Sequence, residues 1–131
     1  MADDHKNEFR AIADAYAAKV EASKSFARQW QAAEQDITTV LEDAVTQFTS
    51  SGRTIGKSHN KDGEIALGVI GLKGGIQQLS YRPLAAESQV IVTERLDSGT
   101  RESEISIGSL SKALIVSHVQ VFLKKALKIP E

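Results

Sequence analysis

Between Phe9 and Phe48 an apolar or small residue returns every three or four positions: Phe9, Ala13, Tyr16, Val20, Ser23, Ala27, Trp30, Glu34, Ile37, Leu41, Ala44 and Phe48. Ten of the twelve are apolar, so the run reads as one helix face interrupted only at Ser23 and Glu34. Residues 4–49 contain neither Gly nor Pro and are rich in Ala, Glu, Lys, Gln and Arg, all good helix formers. Asp3 or Asp4 can cap the start, and Gly52 stands where a helix C-cap is expected. The spacing predicts an uninterrupted helix about 65 Å long, more than a compact domain of this mass can flank. Residues 21–25 are the weakest part of the pattern, but they lack a Gly or Pro to turn the chain into two helices.

A stripe this long must be covered by something. An ideal helix drifts about 20° per heptad from a 3.5-residue repeat, so holding register over five heptads favours supercoiling against a second helix. The competing account is packing on the chain's own sheet, and the Ala and Ser seam positions favour it because they bury little area. On the first account the chain is a homodimer, with Tyr16, Trp30, Ile37, Leu41 and Phe48 carrying the helix contact.

After Asp62-Gly63 the character changes to β, with strands expected at 65–72, 76–82, 89–96 and 101–107. A two-residue turn at Gly74-Gly75 would set Ile70 against Leu79 and Gly68 against Tyr81, whose ring could cover the glycine. An even loop through Ser98-Gly99 would pair Leu96 with Arg101, Val92 with Ile105 and Arg95 with Glu102. The first of these strands carries Ile65, Leu67 and Val69 on one face and Ala66, Ile70 and Leu72 on the other, so it asks for cover on both. Ile65, Leu67 and Val69 join the predicted interaction surface. A last helix over about 110–128, capped by Ser109 or Ser111, is apolar nearly all round.

The expected architecture is therefore α+β in a single domain, residues 1–131. A long helix (4–49) leads through a polar connection (50–63) to a four-stranded antiparallel meander (64–108). A C-terminal helix (109–129) packs on that sheet. Arg53 to Lys57 could add a short strand within the connection.

The chemistry is sparse. With no cysteine, disulfides, thiolate catalysis and cysteine metal sites are excluded, and a reducing, cytoplasmic setting is expected. The polar, acidic start does not resemble a secretory signal, and the longest apolar run, 66–72, is too short to span a bilayer. Net charge is −1, divided as −4 over residues 1–50, +2 over 51–63, −2 over 64–109 and +3 over 110–131. That is a weaker basic bias than duplex binders show. Arg53, Lys57 and Lys61 form the one segment suited to an anion or a nucleic acid.

Gly68 to Gly75 lies in a strand and its turn, not between a strand and a helix, so it is not a nucleotide loop. Gly56-Lys57-Ser58 lacks the earlier glycine of a phosphate-binding loop. His5, His59 and His118 have no metal-ligand spacing, and neither a metal nor a cofactor is expected. The reading that results is a small non-enzymatic interaction or regulatory module, acting as a homodimer through its long helix and sheet or engaging another protein. A nucleic-acid or anion-binding module is the alternative. An enzyme with a pocket between sheet and helices, using Tyr81, Arg82 and His118, is the third.

Overall fold

The computed structural model describes residues 4–49, 55–60, 62–70 and 75–129. Without a helix breaker, α1 runs unbroken from Asp4 to Thr49. The chain then forms an antiparallel meander in strand order β1-β2-β3-β4-β5: Ile55–His59, Ile65–Ile70, Ile76–Leu84, Gln89–Leu96 and Gly99–Ser106. Helix α2, Lys112–Ala126, closes the domain. Both helices pack on the same face of the sheet, α1 over β1 and β2 and α2 over β3 and β4.

The sheet thus has five strands, not four. The extra strand falls in the expected connection and carries one apolar side chain, Ile55. Its inward face is otherwise polar, and α1 supplies the partners. Lys57 Nζ lies 2.9 Å from Glu42 Oε1, and His59 Nε2 lies 3.4 Å from Glu34 Oε2. Glu34, which interrupts the apolar stripe, therefore faces a strand edge. Asn60 shapes the turn that follows, its Oδ1 accepting from the backbone N–H of Asp62 and Glu64. Gly63 adopts φ +83° there, a conformation that favours glycine.

Ile65, Leu67 and Val69 turn toward the helices, where they join Leu79, Tyr81, Val90 and Val92 in one core. The β2–β3 register differs from expectation by an odd number of residues. Ile70 pairs with Ile76, Gly68 with Gln78 and Ile65 with Tyr81. The reason is facial: this register sets inward Leu67 against inward Leu79, whereas the expected one matches an outward Ile70 with Leu79. Tyr81 accordingly lies in the core and does not cover Gly68. The expected Gly74 turn position falls outside the described residues.

The β4–β5 hairpin is displaced by two residues, which preserves the faces. Its loop is the two-residue Asp97-Ser98, with Leu96 opposite Gly99, Val90 opposite Ile105 and Glu94 opposite Arg101. Two-residue loops match strand twist, so the tighter turn prevails over the longer one inferred from Ser98-Gly99. Arg95 consequently faces Thr100 rather than Glu102.

Ser111 caps α2, its hydroxyl accepting from Leu114 N–H at 3.2 Å. At the other end Ile129 N–H bonds Lys124 O and Lys128 N–H bonds Lys125 O. This is a Schellman closure in which Lys128, at φ +55°, holds the position glycine usually takes.

Candidate functional site

Two features of this frame are unspent by folding. The first is the leading half of α1. From Phe26 onward the helix buries Phe26, Ala33, Ile37, Val40 and Leu41 against the sheet and α2, whereas residues 5–19 are exposed throughout. Phe9, Ile12 and Tyr16 are 65%, 66% and 68% exposed, which is unusual for side chains of this size in one patch. The split is one of length: residues 5–19 are exposed on every side, so the leading half of α1 runs past the surface that the sheet and α2 cover.

Of the residues expected to meet a partner, only Tyr16 belongs to this projecting face. Trp30 is half-buried beside the core, above Gly63. Ile37, Leu41, Ile65, Leu67 and Val69 are at most 1% exposed, covered by the chain's own elements, and Phe48 is half-buried. Phe9 and Ile12 were not singled out as contact residues. Phe9 was legible as the start of the stripe, and Ile12, three residues after Phe9 and four before Tyr16, fits the same helical spacing, so the period could have found it.

On the outward sheet face, Ile70 and Ile76 pair across β2 and β3 and are 40% and 75% exposed. The expected two-sided cover of β2 is partly met within the sheet: Ala66 is buried, while Ile70 is not. Of the basic trio, Lys57 is committed to Glu42, and Arg53 and Lys61 lie outside the described residues.

The second feature is a cleft between α2 and the inner face of β4 and β5, about 190 Å³ in volume. Leu79, Val92 and Val121 give it an apolar floor, and Glu94, Arg101, Ser103, His118 and Lys125 line it with polar groups. Tyr81 is fully buried beneath, its hydroxyl 3.0 Å from His118 Nδ1. Burial raises the Tyr81 phenol above its ordinary value, so it stays protonated across the neutral range. Burial also lowers His118, with the Glu94 carboxylate opposing that shift.

Glu94 is largely buried and is met by Lys125 Nζ at 3.3 Å. Tyr81 and His118 are thus brought together, whereas Arg82 is exposed on the opposite sheet face and takes no part. Among the described residues no cluster of His, Cys, Asp or Glu could hold a metal ion. No described helix is long and apolar enough to cross a membrane.

No family model, curated protein or solved structure matches the chain.

Proposed function

We propose that this chain is a small non-enzymatic interaction module that works as a homodimer, joined through the projecting half of α1. The observation that carries this reading is the exposure of Phe9, Ile12 and Tyr16 on a helix that its own described residues leave bare. An isolated helix of some twenty residues gains most of its stability from packing, so an uncovered one invites a partner.

A second copy suits the pattern because the stripe can complement itself. An antiparallel pair that sets Phe9 against the partner's Val20 and Ala13 against the partner's Tyr16 alternates large with small residues. It also places Arg10 beside the partner's Ala17, and Ile12 beside the partner's Lys19. A parallel pair would instead confront Lys19 with the partner's Lys24, and His5 with the partner's Arg10, as flanking pairs. Charge therefore favours the antiparallel arrangement.

Anion or nucleic-acid binding by the 53–61 segment has less support, since Lys57 is already neutralised by Glu42. A cytoplasmic setting belongs to the same proposal and rests on the lack of cysteine.

Sedimentation equilibrium is expected to give twice the 14.2 kDa chain mass at micromolar concentration. The double change Phe9→Ser with Tyr16→Ser should return a folded monomer whose melting temperature no longer depends on protein concentration. A wild-type chain that stays at 14.2 kDa would end the proposal.

A further inference from the structure

Three features of the α2 cleft point beyond folding and are independent of any association through α1. The first is Arg101. Its strand, β5, is an exposed edge, yet Arg101 is on the inward register opposite Glu94 and lines the cleft. It makes no ion pair among the described residues, because the Glu94 carboxylate is met by Lys125 instead. With Glu94 and Lys125 cancelling, the cleft retains the single positive charge of Arg101.

The second feature is the Tyr81–His118 pair. A core position surrounded by Leu79, Val92 and Ile65 would accommodate phenylalanine without a polar partner, and a buried hydroxyl must find one. Here that partner is a ring nitrogen whose residue lines the cleft. Engagement of Nδ1 leaves Nε2 as the nitrogen available to a ligand, and the phenol holds the ring in place. The third feature is the floor. Leu79, Val92 and Val121 leave the cleft more apolar than polar, and Val121 remains 39% exposed there.

We infer that this cleft is a binding site for a small organic monoanion, a carboxylate on a compact apolar body. Arg101 holds the carboxylate as a charge-assisted pair, with His118 Nε2 and the Ser103 hydroxyl as flanking polar contacts. Leu79, Val92 and Val121 take the apolar body. The volume suits a ligand of about ten heavy atoms or fewer, below the usual range for drug-sized molecules.

Benzoate is a suitable probe, followed by amide and imidazole NMR shifts on the full chain. Saturable millimolar binding is expected, with shifts concentrated at Val92, Ser103, His118 and Val121. Arg101→Gln, at an exposed edge position, should weaken it about tenfold or more, which corresponds to one charge-assisted hydrogen bond. Val121→Phe, which narrows the cleft from a partly exposed position, should abolish it while the melting temperature is kept.

Benzyl alcohol tests the charge and inorganic phosphate tests the body. Either one binding the same residues as tightly as benzoate would overturn the assignment. So would benzoate binding that survives Arg101→Gln unchanged, or the absence of any saturable shift.

Discussion

Helix α1 meets the sheet with an apolar ridge, Phe26, Ala33, Ile37, Val40 and Leu41, and its polar contacts to β1, Lys57 with Glu42 and His59 with Glu34, are between partly exposed side chains. Helix α2 buries Ile115, Val119, Phe122 and Ala126 on the same sheet face and adds polar pins. Gln77, 3% exposed, donates from Nε2 to Ala126 O at 2.8 Å and accepts from Asp97 N–H at its Oε1. Tyr81 reaches His118, and Glu94 reaches Lys125. Shape and area can hold a helix at many small offsets, whereas a satisfied buried amide permits one. The difference predicts that α1 contributes most to the free energy of folding and that α2 is the more exactly placed element. That suits a helix forming one wall of a ligand cleft.

The largest test of this contrast is Leu41→Ala. It should remove about 2–5 kcal/mol from the unfolding free energy in a denaturant titration, while Tyr16→Ala on the same helix, measured at a concentration where the chain is monomeric, should stay within about 0.5 kcal/mol. Equal effects would erase the distinction between the covered and projecting halves of α1. Next comes Gln77→Leu, which preserves bulk but orphans Ala126 O and Asp97 N–H. A loss of about 1–3 kcal/mol is expected, with the α2 C-terminal amides exchanging faster.

Acid titration separates the two helices further. His118 is harder to protonate in the folded chain than in the unfolded one, so the unfolded state binds more protons as pH falls. Stability is therefore full above about pH 6.5 and declines below it. His118→Gln should flatten that slope in chemical denaturation. The raised Tyr81 acts at the other end: stability should decline as pH rises above about 10, and Tyr81→Phe should reduce the decline. The smallest effect belongs to α1. Glu42→Ala breaks the pair with Lys57 at a partly exposed position and should change stability by less than about 1 kcal/mol.

The sequence was most legible where one signal spoke alone. The run without Gly or Pro set the bounds of α1, and alternation from Gln89 to Leu96 set β4. Strand β1 was anticipated only as a possible short strand over Arg53 to Lys57, and it extends to His59 because Lys57 and His59, which read as loop residues, find Glu42 and Glu34 opposite them. Both hairpin registers were misjudged because each turn was inferred from its glycines. Pairing is decided instead by which side chains must face the helices, as Leu67 and Leu79 show. Tyr81 and His118 were named together only in the enzyme alternative, beside Arg82, with nothing in the sequence to say that they touch. Their meeting depends on α2 crossing β3, which no local pattern encodes. Arg101 gave no signal at all, since its interest lies in having no ion-pair partner among the described residues.

The order of elements along the chain also bears on how the protein is made. All five strands pair with their neighbours in sequence, so the meander can form by successive short closures, the kind of topology that folds quickly. The docking of α1 is the exception. Leu41 leaves the ribosome well before Leu79, Tyr81 and Phe122, the core residues that share its cluster. At ordinary rates of synthesis the interval from Leu41 to Phe122 lasts roughly 4–16 s. For that time α1 presents both its future core ridge and its projecting face to the cell. Nascent chains emerging side by side from one message could therefore pair through these helices before either sheet exists.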